Sequence, residues 1–197
     1  MFKKFLSIIN SLYNYRQIKK NKVVIGDTSI CGRIRIINSA GKISIGNKCM
    51  INSGKGHNPI GGDTICRLIS YGGIISVGNR VGISNSTIVS RSSITIEDDV
   101  FIGGSCKIYD NDFHPLSFDE RVSFSEKIPQ KPIVIKKGAF IGAHTIVLKG
   151  SVIGEKSIVG AGSVVTCHIP DGEIWAGNPV KFIRKVEMRE QNEYSDC

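Results

Sequence analysis

The sequence predicts an all-β fold, a parallel β-helix of triangular section, and three observations carry the prediction. Ile135, Ile141, Val147, Ile153, Val159 and Val165 stand six residues apart without a slip. Six is no multiple of the 3.6-residue helical turn but is a multiple of two, so these side chains can share the inward face of short strands joined by tight turns. Glycine often follows the aliphatic residue, as in Ile141-Gly142, Ile153-Gly154 and Val159-Gly160. The apolar set is dominated by Ile and Val, glycines number 22, and aromatics are only 7%. A short fixed period with one inward aliphatic per strand lets each coil bury its core against the next.

At 197 residues the chain suffices for one domain with a continuous core and some appendages. Its 26 basic and 17 acidic residues give a net charge of +9. Six of the bases (Lys3, Lys4, Arg16, Lys19, Lys20 and Lys22) precede any acid, leaving about +3 for the remainder. That balance, with no helix-turn-helix signature and no Cys-x-x-Cys pair, argues against a nucleic-acid partner. The six cysteines at 31, 49, 66, 106, 167 and 197 are dispersed, several in apolar slots of the repeat. They read as buried thiols in a reducing compartment, which points to the cytoplasm.

In chain order, residues 1–22 form an N-terminal unit with an amphipathic helix over 2–18. Phe2, Phe5, Leu6, Ile9, Leu12 and Tyr13 follow the i, i+3, i+4 spacing, with Lys and Asn between. The apolar run Phe5–Ile9 is too short for a signal peptide or a membrane span. Two readings stand. The helix caps the open end of the first coil, where strand edges need cover, or it makes peripheral contact with an anionic membrane surface, at the inner face of the membrane.

The β-helix proper spans 23–186. Its inward positions group in threes as 25/31/37, 77/83/89, 96/102/108, 135/141/147 and 153/159/165, with an irregular coil around 45/51. Two stretches break the rhythm and read as loop insertions, 52–73 and 109–132. All six prolines lie outside the triplets, as expected of a residue that cannot donate to an internal ladder. Residues 187–197 are a polar tail.

The hexads IGDTSI, VGNRVG, IGGSCK, IGAHTI, IGEKSI and VGAGSV resemble the repeat of the left-handed β-helix acyltransferases, over about residues 23–186. The closing stretch IVGAGSVVTCHIPDGEIWAGNPVKFIRKV is the most specific, and within the family it is most similar to the sugar and polysaccharide O-acetyltransferases of the galactoside and maltose group. The resemblance supplies the handedness, an acetyl-CoA donor with no metal required, and a homotrimer with active sites between neighbouring prisms.

A long loop in an otherwise regular coil is the place to look for chemistry. The second insertion holds Asp110-Asn111-Asp112-Phe113-His114-Pro115. A hydroxyl acceptor needs a base of near-neutral pKa, and the family's catalytic His lies just before Pro in the matching excursion, so the resemblance assigns the base to His114. It places Asn85, in Gly82-Ile83-Ser84-Asn85, among active-site hydrogen-bonding groups, catalytic or substrate-binding; the residues alone equally fit an Asn that tolerates a left-handed coil corner. Asp110 and Asp112 are candidates to bind sugar hydroxyls or orient His114, or are simply solvated loop acids. His144 matches a slot where relatives also carry His; His57 and His168 have no guiding motif.

Small residues allow a pantetheine arm close to the backbone, which singles out Gly142, Ala143, Gly160, Ala161 and Gly162. By resemblance, Ala143, Ala161, Thr166, Cys167, Lys181 and Arg184 fall on coenzyme A positions, the two bases suiting its phosphates. Cys167 departs from the Lys that relatives often have there. Trp175 and Phe140 either contact the donor or cover the core.

The implied reaction is direct acetyl transfer to a sugar hydroxyl in a ternary complex, with surface-polysaccharide synthesis the expected setting, without a covalent acyl-enzyme. N-acetylation of an amino sugar is the alternative, with the acceptor a sugar or glycan in either case. A zinc enzyme of the γ-carbonic anhydrase kind needs three converging His, and only four exist here, none closely paired. A non-catalytic scaffold would not need the His114 excursion.

Overall fold

The structure, a computed structural model, describes residues 2–123 and 127–187. The tail beyond Glu187, Cys197 and residues 124–126 of the second insertion lie outside the described residues.

Three parallel sheets wrap one core, and each coil but the last contributes a strand to every sheet. Sheet A stacks β1 (Val24–Ile25), β4 (Lys42–Ile45), β7 (Ile74–Val77), β10 (Ser93–Ile96), β13 (Ile133–Ile135), β16 (Val152–Ile153) and β19 (His168–Ile169). Sheet B stacks β2 (Thr28–Cys31), β5 (Cys49–Asn52), β8 (Gly82–Ser84), β11 (Phe101–Ile102), β14 (Phe140–Ile141), β17 (Ile158–Val159) and β20 (Glu173–Ala176), and ends on an antiparallel β21 (Lys181–Lys185). Sheet C stacks β3 (Arg35–Ser39), β6 (Arg67–Tyr71), β9 (Thr87–Ser90), β12 (Lys107–Tyr109), β15 (Ile146–Leu148) and β18 (Val164–Val165).

Strand register shows which side chains face inward. In sheet A the inward column is Ile25, Ile45, Val77, Ile96, Ile135, Ile153 and Ile169. In sheet C it is Ile36, Leu68, Ile88, Ile108, Val147 and Val165. The triplets 96/102/108, 135/141/147 and 153/159/165 are therefore as expected. Three positions shift by one: Ile30, Ile36 and Ile88 point inward, not Cys31, Ile37 and Val89. Each error falls on a pair of adjacent apolar residues: the corner steps Ile25 to Ile30 and Ile83 to Ile88 are five residues rather than six, and Ile36 carries the first shift forward. Parity then decides the face. The first insertion is also shorter than 52–73, because Arg67–Tyr71 is β6 and Leu68 sits in the core.

Two residues before each inward aliphatic lies a second buried position. It is Cys49, Cys66, Val81, Val100 or Cys106 in earlier coils and Ala139, Thr145, Ser151, Ser157 or Ser163 in later ones. The hydroxyls there are satisfied: Ser151 Oγ donates to Val165 O at 3.1 Å, Ser157 Oγ to Pro170 O at 2.6 Å and Ser163 Oγ to Gly160 O at 2.6 Å. Three residues before the inward aliphatic, just ahead of that second buried position, the chain turns the corner in a left-handed conformation. Lys48, Arg80, Asp99 and Lys156 (φ 56, 56, 61 and 54°) form one such column between sheets A and B; Asn85, Ser105, His144 and Gly162 (φ 43, 61, 61 and 69°) form another between B and C.

The N-terminal α1 (Phe2–Lys20) packs on β2 and β3. What docks is not its apolar stripe but a row of amides. Asn14 accepts from Ile34 N–H at 3.1 Å and donates to Gly32 O at 2.8 Å; Gln17 Oε1 accepts from Ile36 N–H at 3.2 Å; Asn21 Oδ1 accepts from Asn38 N–H at 2.9 Å. Residues 34, 36 and 38 are alternate donors of the edge strand of sheet C, so the 3–4 spacing of the helix matches the period of two in the strand. The helix is thus an edge cap, and polar groups make the ladder contacts while, among the described residues, Ile18 alone of its apolar side chains packs against the core.

Candidate active site

The second insertion leaves the prism after β12 in sheet C and returns to β13 in sheet A, so it springs from the C–A corner. Its base is closed by pairing of Asn111 with Gln130, by Asp112 N–H donating to Pro129 O at 3.1 Å and by Lys131 N–H donating to Asp110 O at 2.9 Å. Lys149, from the next coil, holds Asp112 Oδ1 at 2.6 Å.

On that base stands a strained turn. His114 N–H donates to Asp112 O at 2.7 Å, closing a three-residue γ-turn around Phe113 at φ 62°, the rarer positive-φ form. Asn111 Oδ1 accepts from Phe113 N–H at 3.0 Å, and the Phe113 ring meets Tyr109 edge-on at 5.0 Å. His114 is exposed, and among the described residues no side chain hydrogen-bonds to its ring. Beyond it, α2 (Phe118–Val122) makes an arm whose Leu116, Phe118 and Val122 are exposed by 69, 69 and 59%.

The acids of the insertion serve the scaffold, contrary to the expected sugar-binding role. Asp110 is fully buried, and its carboxylate accepts from Ser90 Oγ at 2.7 Å, Arg91 N–H at 2.8 Å and Ser92 N–H at 2.9 Å. It locks the C–A corners of successive coils together. Asp112 is spent on Lys149, although its buried Oδ2 has no hydrogen-bond partner among the described residues.

Asn85 is likewise fully buried, and the coil-corner reading describes it: Oδ1 accepts from Gly54 N–H at 2.6 Å, Nδ2 reaches Asn58 O at 3.4 Å, and Gly61 packs so close that a Cβ there would sit 2.5 Å from Nδ2. Thr64 and Ser105 fasten the same loop, through Thr64 Oγ1 to Asn85 O at 3.1 Å and Ser105 Oγ to Gly61 O at 2.6 Å. The amide organises residues 53–65 and is not free for a substrate.

The donor candidates occupy three places rather than one. Gly142, Ala143 and Ala161 line the B–C corner, where Gly162 N–H donates to Ala143 O at 2.8 Å. Coil stacking itself demands Gly142, since a Cβ would lie 2.5 Å from Ala161 N. Thr166 and Cys167 follow β18 at the C–A corner, and the half-buried Cys167 side chain packs against the core. Lys181 and Arg184 stand on the fully exposed β21, Arg184 already 3.3 Å from Glu187. Trp175 packs on the core and donates to Glu173 Oε2 at 2.8 Å. His144 is exposed at the B–C corner, His168 opens β19 and His57 lies in the first insertion. Among the described residues, no group of three His, Cys, Asp or Glu side chains converges.

The sequence reading missed a cleft of about 430 Å³ on the outer face of sheet B. Outward neighbours in register are Met50, Gly82, Phe101 and Phe140, and Gly82 leaves the gap that the Phe101 ring partly covers. Lys48 and Arg80 rim one side, Asn52 and Ser84 the other. Arg80 is held by Asp99 in a two-pronged contact at 2.6 and 2.9 Å and by Asp98 at 3.3 Å. Both carboxyls lie below the usual range, Asp98 chiefly through the hydrogen bond it accepts from the Asn79 backbone N–H and Asp99 chiefly through the Arg80 guanidinium. The signal was present in Phe101-Ile102 and Phe140-Ile141, where an aromatic precedes the inward aliphatic.

Comparison with known proteins agrees with this architecture. Residues 132–167 match the bacterial transferase hexapeptide (six repeats) family. A protein of Schizosaccharomyces pombe named as an acetyltransferase is 41% identical over 103 residues, 52% of this chain and 48% of its own length, so the match spans about half of that relative. AntD, an N-acyltransferase from Bacillus cereus solved with dTDP and 3-hydroxybutyryl-CoA, superposes with a TM-score of 0.66 at 25% identity, covering 89% of each chain. A maltose O-acetyltransferase from Clostridium difficile 630 superposes with a TM-score of 0.57 at 21% identity, covering 94% of this chain and 86% of that one. The six-residue rhythm, the three stacked parallel sheets and these likenesses together give the chain the left-handed β-helix fold, with residues 132–167 matching the hexapeptide transferase repeat.

Proposed function

We propose that the protein is an acetyl-CoA-dependent acetyltransferase acting on a sugar hydroxyl, with His114 as general base. The observation that carries this reading is the presentation of His114: an exposed imidazole on a strained γ-turn, above a base clamped by Asp110 and Lys149. An unanchored loop histidine would need none of that investment. In the reaction the imidazole takes the proton of the acceptor hydroxyl as its oxygen attacks the thioester carbonyl. The imidazolium then returns that proton to the departing thiolate, so no covalent acyl-enzyme is formed.

A homotrimer fits the same geometry. His114 stands five positions beyond Tyr109, which keeps its Cα within about 17 Å of the end of β12 at the C–A corner. The cleft lies on sheet B, the face opposite that corner. The exposed apolar arm of Leu116, Phe118 and Val122 suits a neighbouring prism, whose cleft and B–C corner would complete the site. Ala143, Ala161, Lys181 and Arg184 remain the candidates to meet the donor, the last two by charge.

A nitrogen acceptor is the second reading, favoured by the likeness to AntD, an N-acyltransferase. One experiment addresses both points. Co-expressed hetero-oligomers of His114→Ala and Met50→Asp chains should recover activity that each parent lacks, because each prism would then lend its intact half. Product treated with mild alkali should lose acetate from an ester and keep it in an amide. No recovery in verified hetero-oligomers contradicts the shared site.

A further inference from the structure

We propose that α1 seats the protein on an anionic lipid surface, through the face the prism leaves uncovered. The amide row Asn10, Asn14, Gln17 and Asn21 occupies the side turned to β2 and β3, Asn10 Oδ1 accepting from Arg33 Nε at 2.9 Å. At 100° per residue, Ile8, Leu12 and Tyr15 fall on the opposite side. All three are exposed, by 61, 51 and 57%, where a helix docked by its apolar face would have buried them. Arg16 and Lys19 share that outer side and are exposed as well. The face is mixed, apolar residues interleaved with bases, which suits reversible contact at the headgroup level rather than insertion. Among the described residues no helix is long and apolar enough to cross a membrane.

Charge names the occupant. Residues 1–62 carry eleven bases (Lys3, Lys4, Arg16, Lys19, Lys20, Lys22, Arg33, Arg35, Lys42, Lys48 and Lys55) against the single acid Asp27, a balance of +10. The chain as a whole carries +9, so the rest is close to neutral. The whole excess thus gathers at the end of the prism where α1 lies, with Arg33, Arg35 and Lys42 exposed on the adjoining strands. A second copy of this chain would bring an equal positive charge to the same patch under a two-fold contact, whereas an anionic bilayer complements it. Seated this way, the enzyme would hold its first coils at the lipid and leave its later coils toward the solvent, an arrangement suited to acceptors carried on lipids.

The test is co-sedimentation of the full chain with phosphatidylcholine vesicles, with and without phosphatidylglycerol, at low and high salt. Binding is expected only to the anionic vesicles and should fall with salt. Ile8→Asp/Leu12→Asp and Arg16→Glu/Lys19→Glu should each cut the bound-to-free ratio roughly tenfold or more, with melting temperature and oligomer size unchanged. The charge-reversal pair keeps the test decisive should the first variant misfold. No binding by the wild type to anionic vesicles at low salt overturns the proposal. So does undiminished binding by both folded variants, or a fall in oligomer size, which would make the face a contact between copies.

Discussion

Lys149 holds the Asp112 carboxylate at 2.6 Å from across two elements of the fold, fixing the residue whose own carbonyl closes the turn beneath His114. Both side chains are about three-quarters buried, at 26 and 22% exposure, so the pair is shielded from screening more than a surface ion pair. Lys149→Met should leave Asp112 buried without a partner, lower stability by about 1–3 kcal/mol and lower kcat roughly tenfold or more through misplacement of the imidazole. Thermal unfolding and steady-state kinetics check it. An unchanged kcat would mean that the turn holds His114 without the pair.

Asn85 is expected to matter for stability before chemistry. Asn85→Ala orphans the Gly54 amide and puts alanine at φ 43°, for a loss of about 2–4 kcal/mol. Asn85→Asp keeps the acceptor and should cost less. Urea unfolding of the two variants orders them. If Asn85→Ala instead keeps wild-type stability while losing turnover, the residue acts on substrate and the buried amide has been misread.

The core thiols set an alkaline limit. Burial pushes Cys66 from 9.0 to about 11, and Cys106 is raised by the same cause. The folded state holds the Cys66 proton more tightly than the unfolded state does. Its contribution is therefore complete below pH 9 and is lost as pH rises toward 11, up to about 2–3 kcal/mol. Chemical denaturation at pH 8 and pH 10.5 should show that loss, and Cys66→Ala should flatten it. Equal slopes in wild type and variant would remove Cys66 as the cause.

The sequence discloses the coils where the six-residue step runs without interruption, as from Ile141 through Val147 to Ile153, because the spacing picks the inward place even beside apolar neighbours such as Ile146, Leu148 and Val152. It misleads at Ile30-Cys31, Ile36-Ile37 and Ile88-Val89, where two apolar neighbours offer opposite faces and only strand register chooses. It misleads again in α1, since apolar spacing marks a helix face but does not say that amides would dock it. The exposed place of His114 on a loop excursion was legible from the break in the rhythm, while its role as base rests on the resemblance and is a proposal. The duties of Asn85 and Asp110 were not, because their partners lie 31 residues away at Gly54 and 20 away at Ser90. The cleft escaped notice because Gly82 contributes by what it lacks.

The central claim is tested most directly by turnover of His114→Ala, measured as coenzyme A release from acetyl-CoA with a responsive sugar acceptor. Oligomer size and coenzyme A affinity would be confirmed equal to wild type beforehand. The expected result is a fall in kcat of roughly two to four decades. Turnover by the variant as fast as wild type would contradict the account and move the search for a base to His144 and His57.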